Sequence, residues 1–293
     1  MKRLLAFAAL PPVFLGAGCE APPAGSPVLT EHPTIVSLNP CTDAILAEWT
    51  PPEQLLATSH YSHAPRATSM EAGVAARYAS TGGTVEEVLA LDPDVVVAST
   101  FIAPATRAAL TDLGYRVETF GSPRTIAESI AQVERLGAVS GHEDAAGALA
   151  DRLRAVEARV PEEGTTAVVW QPGGIVPGEQ SLVVELLERA GFADGGAAMG
   201  LGQADYLGLE RVLADPPDVL FVAGNELGQR HPSLMKASRV RVETLDPNLL
   251  YCGGPTILRA MERLGESRRR LGPRDGEAVR RDSGLRPSPE IGL

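Results

Sequence analysis

The chain has 293 residues, 44% of them hydrophobic and 22% charged, with a formal net charge of −11. This length and balance predict a globular protein of about two domains and exclude a fibrous or wholly disordered chain. The acidic excess argues against a nucleic-acid partner, because affinity for phosphate backbones depends on clustered Lys and Arg. Aromatic residues make up only 4% of the chain, which limits the size of any stacking surface.

The N-terminus has the pattern of an export signal. Two basic residues precede an apolar run over residues 4–15, and small residues then lead to Cys19. The run is too short for a mature transmembrane helix, so residues 1–18 are interpreted as a signal peptide. A small-residue stretch that ends in Cys resembles a bacterial lipobox, which predicts lipidation of Cys19, with plain secretion as the alternative. Residues 19–33, rich in Pro, Ala and Gly, are predicted to form a flexible tether.

Beyond the tether, strand-like and helix-like segments alternate. The run Val95–Ala98 is continuously apolar, which is typical of a strand buried on both faces of a sheet. Alternation of strands with helices predicts parallel α/β sheets. Further strands are predicted at 34–38, 55–58, 116–120, 166–170, 219–223 and 242–245, and helices at 44–49, 107–113, 182–190 and 256–264.

A long helical region is predicted between the two α/β halves. Apolar residues recur there at helical spacing, and the set after Gly141 is Leu149, Leu153, Val156 and Val160. The chain therefore divides into an N-terminal α/β lobe (34–123), a linking helical region (124–160), a C-terminal α/β lobe (161–267) and a disordered tail (268–293).

An internal repeat connects the two lobes. The pattern E-x-V-L-A-x-x-P-D followed by an apolar strand begins at Glu86 and again at Glu210, an offset of 124 residues (from 86 to 210). In each copy the Glu opens a short helix, where a carboxylate suits the helix dipole, and Pro-Asp ends the helix before a buried strand. The repeat predicts two lobes of the same build, although good helix capping alone would produce the same residues.

At this point the sequence resembles the periplasmic substrate-binding proteins of ABC importers for vitamin B12 and iron-siderophores. The resemblance is carried by Ile35–Pro40, by the loop Thr81–Thr84 with the helix and strand that follow it, and by the second copy at Glu210. It implies two Rossmann-like lobes with parallel sheets, joined by a single long rigid helix, with the ligand cleft between the lobes. It also implies that Glu86 and Glu210 dock on arginines of a membrane permease.

The cleft is expected at the carboxyl ends of the parallel strands. Loops that follow the predicted strands there hold many of the polar and aromatic residues of the chain. The His60–His63 segment contains two of the five histidines, and direct metal ligation and a solvated loop both remain open for it. The candidate ligand-binding residues are His60, Tyr61, His63, Arg66, Phe101, Trp170, Gln203, Tyr206 and Tyr251.

Two further cysteines, Cys41 and Cys252, fall in predicted cleft loops, one in each lobe. An exported protein can form disulfides, and a bond here would clamp the two lobes. The alternative is two thiols near helix N-termini, where their pKa should fall. The spacing of the cysteines and histidines does not match a structural zinc site. The sequence does not identify any other metal-binding residues.

The function implied is that of an extracytoplasmic solute-binding protein, periplasmic or anchored to the membrane only through a lipid at Cys19. It would capture a corrinoid or ferric chelate and deliver it to an ABC permease with its ATPase. The predicted cleft loops contain few Arg or Lys residues, and this scarcity favours a corrinoid over an anionic siderophore. We expect a monomer with no cofactor and no catalytic residues; the alternatives are an exported hydrolase, for which no G-x-S-x-G motif is present, and a bare-metal or heme-binding protein of the same fold.

Overall fold

A computed structural model of the chain describes residues 31–160, 164–237 and 239–271. The predicted signal peptide, Cys19 and most of the predicted tether lie outside these residues. Within them, no helix is long and apolar enough to cross a membrane.

The N-terminal lobe is a five-stranded parallel sheet in the order β3-β2-β1-β4-β5. The direction of strand addition reverses between β1 and β4, and loops at such a switch point form a crevice at the carboxyl edge. The elements are β1 (Ile35–Ser37), α1 (Pro40–Leu46), β2 (Leu55–Ser59), α2 (Ala72–Ala75), β3 (Ala79–Thr81), α3 (Val85–Leu91), β4 (Val95–Ser99), α4 (Pro104–Asp112) and β5 (Arg116–Phe120).

Two helices of 15 residues, α5 (Ile126–Ser140) and α6 (Glu143–Glu157), link the lobes. The single long helix that the resemblance implies is therefore replaced by an antiparallel pair. Gly141 ends α5 in the left-handed conformation, with φ 73°. The pair packs closely because Gly137 has no side chain: a Cβ there would lie 2.3 Å from the Cβ of Ala146. The predicted helical stripe stops short of Val160, which lies beyond α6 and is exposed.

The C-terminal lobe repeats the plan with a four-stranded parallel sheet in the order β7-β6-β8-β9. Its last helix continues through Leu271, so the predicted disordered tail does not begin at Arg268, and the rest of that predicted tail, residues 272–293, lies outside the described residues. The elements are β6 (Thr166–Trp170), α7 (Leu182–Arg189), β7 (Ala193–Asp194), α8 (Gly195–Ala198), α9 (Leu209–Ala214), β8 (Val219–Val222), α10 (Pro232–Lys236), β9 (Arg241–Thr244) and α11 (Pro255–Leu271).

The repeated motif has the same structural role in both lobes. Asp94 accepts hydrogen bonds from the backbone N–H and the hydroxyl of Thr34, at 2.8 and 2.9 Å. Asp218 accepts the same two bonds from Thr166, at 2.8 and 3.0 Å. In each lobe the Pro-Asp that ends a helix therefore fixes the start of the lobe's first strand. The sequence repeat therefore corresponds to a repeat in the structure. The predicted fold class of two α/β lobes with parallel sheets is confirmed.

A single apolar core extends through both lobes. Alternate residues of β4 and β8, such as Val95 and Phe221, point into one cluster that also includes the inner faces of α5, α6 and α11. Their neighbours, such as Val96 and Leu220, point into separate outer clusters under the surface helices. Because interiors are close-packed and resist deformation, a shared core holds the two lobes in a fixed arrangement.

Candidate ligand-binding cleft

Three cavities lie along the cleft side of the lobes, at the carboxyl ends of the strands. The first, of about 270 Å³, belongs to the N-terminal lobe and is enclosed by the loops after β1, β2, β3 and β4. The lining residues are Leu38, Ser59, His60, Tyr61, Thr81, Gly82, Gly83, Ser99, Phe101, Ile102, Ala103 and Thr106.

Three of the predicted ligand-binding residues meet at this first cavity. The rings of His60 and Tyr61 lie 4.0 Å apart on a 3-10 turn that directly follows β2. Phe101, in the loop after β4, is 84% exposed, and Tyr61 is about half exposed. Large rings in such positions are available to stack on a ligand. His63 ends the same turn, but its Nε2 lies 3.0 Å from the hydroxyl of Thr58, so its ring contacts the lobe itself.

A buried carboxylate holds this turn in place. Asp43, in the first half of α1, is completely buried, and its Oδ2 accepts hydrogen bonds from the backbone N–H of Ser59 (2.8 Å) and the hydroxyl of Ser62 (2.6 Å). Burial raises the pKa of Asp43 to about 7, although hydrogen bonds from Ser37, Ser62 and Ser59 act in the opposite direction. The conformation of the His60–His63 turn therefore depends on a side chain behind the cleft surface.

The second cavity, of about 630 Å³, lies at the carboxyl ends of β6, β8 and β9 and is bordered by a loop of the N-terminal lobe. There the side-chain amide of Asn248 donates to the carbonyl of Pro65 at 2.8 Å, so the two lobes touch across the cleft. Two predicted ligand-binding residues, Arg66 and Tyr251, line this cavity. Tyr251 is more than half exposed.

The third cavity, of about 680 Å³, lies at the start of the linking helices. It contains the predicted residue Gln203, whose side-chain carbonyl accepts a hydrogen bond from the backbone N–H of Gly178 at 3.2 Å. Arg124 and Leu250 also line it, one from each side of the lobe boundary. This cavity extends the cleft toward the linking region.

Two predicted ligand-binding aromatic residues of the C-terminal lobe differ in burial: one is exposed and the other is buried. Tyr206 is two-thirds exposed and packs against Gly174, where an added Cβ would come within 2.6 Å of the ring, but it lines none of the three cavities. Trp170 is only 3% exposed, belongs to the outer core of its lobe, and donates from its indole nitrogen to the carbonyl of Leu207 at 2.8 Å. The structure therefore places Trp170 in the core instead of the cleft, because the last residue of β6 points inward.

The charges along the cleft are few and mixed. Among the residues that line the three cavities in the described part of the chain, the cations are Arg66 and Arg124. The carboxylates are more numerous, but Glu226 accepts from the backbone of Gly173 and Asp246 from that of Asn248, so both stabilise loops. The cleft is therefore not a strongly cationic surface. The acidic residues are Glu179, Glu226 and Asp246.

Cys41 and Cys252 form a disulfide, which decides between the bridged and free-thiol alternatives. Cys41 lies in the first turn of α1, and Cys252 precedes α11. The bond lies close to α5, because the N–H of Gly254, two residues after Cys252, donates to the hydroxyl of Ser129 on that helix at 2.7 Å. It connects the lobes beside the linking helices and leaves the rims of the cleft open.

The two predicted docking carboxylates occupy matching positions outside the cavities. Glu86 is exposed in the first turn of α3, and Glu210 is exposed in the first turn of α9. The next residue along α3, Glu87, behaves differently: its carboxylate accepts from the backbone N–H of Thr84 and the hydroxyl of Thr81. These bonds hold the pKa of Glu87 below its usual value and leave Glu86 as the outward-facing acid.

Sequence reasoning did not single out Asp43 or Arg124 as site residues. The carboxyl-edge rule applied to β5 would have found Arg124, since it follows that strand. No sequence signal indicates the burial of Asp43, because an acidic residue in the first turn of a helix is normally a solvated one. Across the described ranges, no group of three or more His, Cys, Asp or Glu side chains is arranged to hold a metal ion.

Several solved structures share this fold. A periplasmic heme-binding protein from Pseudomonas aeruginosa is 20% identical, with a TM-score of 0.60, over 80% of this chain and 92% of that chain. The heme-binding protein HutB of Vibrio cholerae is 16% identical, with a TM-score of 0.66, over 83% and 100%. The vitamin B12-binding protein BtuF of Vibrio cholerae is 20% identical, with a TM-score of 0.55, over 80% and 95%.

At these identities the likeness shows a shared fold. No curated protein sequence matches the chain. Residues 35–240, however, match the family model described as periplasmic binding protein, which covers most of both lobes. The parallel two-lobe architecture, the cleft at the strand ends and this match lead to one conclusion: the chain belongs to the periplasmic binding protein family.

Proposed function

We propose that this protein captures a planar metal tetrapyrrole, a heme or a corrinoid, between its lobes and delivers it to an ABC permease. The observation that carries the proposal is a set of large rings exposed on both sides of the cleft. Two rings line the first cavity in the N-terminal lobe and one lines the second cavity in the C-terminal lobe, and each is at least half exposed. They are Tyr61, Phe101 and Tyr251.

Exposed rings that border a cavity are available to a ligand that enters it. Aromatic side chains each bury a large apolar area when they stack, and exposed apolar clusters mark binding sites. A flat macrocycle fits such a cleft because it offers an apolar face to each lobe. The similar structures that bind heme and vitamin B12 support a ligand of this class.

The cleft charges favour a tetrapyrrole over a ferric siderophore. A trianionic chelate needs several cations to offset its charge, whereas this cleft presents Arg66 and Arg124 beside three carboxylates. A corrinoid carries little net charge and heme carries two carboxylates, so either ligand needs fewer cations than a siderophore does. Of the two kinds of metal chelate, the ferric siderophore is therefore the less favoured ligand.

The turn after β2 supplies groups that suit the metal of such a ligand. His60 and Tyr61 both border the first cavity, and imidazole nitrogen and phenolate oxygen bind iron as axial ligands. His63 is held by Thr58 and is not part of this role. We assign contact with the bound chelate to His60 and Tyr61, and stacking to Phe101.

Delivery uses the carboxylates on the two lobes. Glu86 and Glu210 occupy equivalent, exposed positions and are proposed to pair with basic residues of the permease. The mature protein is proposed to be exported, lipidated at Cys19 and monomeric, and to bind its ligand without turnover. Family membership supports the delivery role, and the sequence pattern of the N-terminus supports export and lipidation.

A thermal-shift screen of heme, cyanocobalamin and ferric chelates against the mature chain tests this function. A ligand at a hundredfold excess over its Kd stabilises the folded state by about 2.7 kcal/mol, which is easily measured. Phe101→Ala combined with Tyr251→Ala should remove the shift, while Leu113→Ala, a control at an exposed residue of the N-terminal lobe, should keep it. Stabilisation by a ferric siderophore alone would refute the tetrapyrrole assignment.

A further inference from the structure

The internal repeat places an exposed leucine beside each proposed docking carboxylate. Leu89 follows Glu86 on α3 and is 42% exposed, and Leu213 follows Glu210 on α9 and is 38% exposed. The preceding residue of each helix is a fully buried valine that anchors it to its sheet. Each helix therefore turns one apolar residue inward and the next one outward.

In both helices the Glu and the Leu lie three residues apart. Residues at this spacing are neighbours on one helix face, so each lobe presents a carboxylate–leucine pair to solvent. One exposed leucine on a protein surface is ordinary. Here the same pair occurs at the same repeat position in both lobes, on helices that precede the strands at the two switch points.

Both pairs lie next to the cleft. Helix α3 follows Gly82 and Gly83, which line the first cavity, and the loop before α9 begins near Gln203, which lines the third. The carboxylate of Glu87 joins α3 to Thr81 on the wall of the first cavity, at 3.0 Å from its hydroxyl. A partner that moves α3 would therefore also move the cavity wall.

We propose that Leu89 and Leu213 are the apolar contacts through which each lobe docks on the permease, next to Glu86 and Glu210. The inference rests on the proposed function. The occupant we assign is the permease of the proposed function, and charge complementarity supports it: neither carboxylate forms an ion pair within the described residues, so both are available to basic side chains of a partner. Two matched patches require two matched sites, each with a basic side chain beside an apolar pocket, which a permease of two equivalent subunits supplies.

The test measures binding of the mature chain to the permease–ATPase complex of its source organism, reconstituted in nanodiscs. Leu89→Ser combined with Leu213→Ser is expected to weaken this binding at least tenfold. Both side chains are exposed, so the melting temperature and the affinity for heme or cyanocobalamin should not change. Leu113→Ser is the matched control: this leucine is 52% exposed at the far end of α4, away from the cleft.

Binding of the double leucine variant within twofold of the wild type would overturn the inference. If Glu86→Ala with Glu210→Ala then abolished binding, the carboxylate docking of the proposed function would stand without the leucines. If the Glu variant also bound normally while the ligand still bound, docking on these helices would be wrong and ligand capture would stand. An equal loss in Leu113→Ser would overturn the inference as well, since the effect would not be specific to the patches.

Discussion

Removal of the disulfide should destabilise the protein strongly while leaving the cleft intact. Cys41 and Cys252 are separated by 211 residues, so the bond closes a very long loop. The chain-entropy relation for a loop of this length gives about 18 cal/mol/K, or about 5 kcal/mol at 25 °C, as an upper estimate of its contribution. For Cys41→Ser with Cys252→Ser we therefore expect a loss of about 3 to 5 kcal/mol in the free energy of unfolding.

Urea denaturation of the mature chain measures this loss, with reduced and oxidised wild-type protein as reference states. Reductant should destabilise the wild type and have no effect on the double variant. Ligand affinity should stay within a few-fold of the wild type, because the shared core holds the lobes without the bond. A loss below about 1 kcal/mol would refute the assigned contribution of the bond, and loss of ligand binding in the folded variant would refute the rigid shared core.

Three further changes test separate parts of the structure. The raised pKa keeps Asp43 protonated in the folded protein at pH values where the unfolded chain has already released this proton, so Asp43 makes the wild type less stable as the pH rises from 4 to 7. Asp43→Asn should therefore show a smaller fall in melting temperature over this pH range. Parallel curves of melting temperature against pH for the two proteins would contradict this. Thr34→Val and Thr166→Val should each cost about 1 kcal/mol in urea unfolding; a cost in only one lobe would contradict the structural repeat. Phe101→Ala should change stability by less than about 0.5 kcal/mol but lower tetrapyrrole affinity about tenfold in a fluorescence titration; unchanged affinity would remove Phe101 from the site.

The sequence predicted the architecture well where strong local patterns exist. The apolar runs at β4 and β8 are buried on both faces, and the repeated Pro-Asp identified matching positions in two lobes. Strand β3 was not predicted, because Ala79–Thr81 is short, has no apolar run and is mostly exposed at the sheet edge. The linking region was predicted as helical, but its break into two helices depends on one left-handed glycine, Gly141.

The cleft was predicted less completely, since loop position alone does not determine where a side chain points. Tyr61 and Phe101 lie two residues beyond the ends of β2 and β4 and are exposed, whereas Trp170 is the last residue of β6 and is buried. Whether a residue falls inside the strand or just after it decides between these outcomes, and strand ends are the least certain part of any assignment. The role of Asp43 arises from contacts between α1 and the turn after β2, which no local pattern encodes.

Ligand identity is tested by titration of the mature chain with heme, cyanocobalamin and a ferric siderophore, followed by absorbance and calorimetry. We expect saturable one-to-one binding of a tetrapyrrole between the lobes, weakened by Tyr61→Ala and by Phe101→Ala, with the ligand recovered unchanged. Binding of the siderophore alone, or chemical turnover of the tetrapyrrole, would show that the protein is not a tetrapyrrole-binding protein.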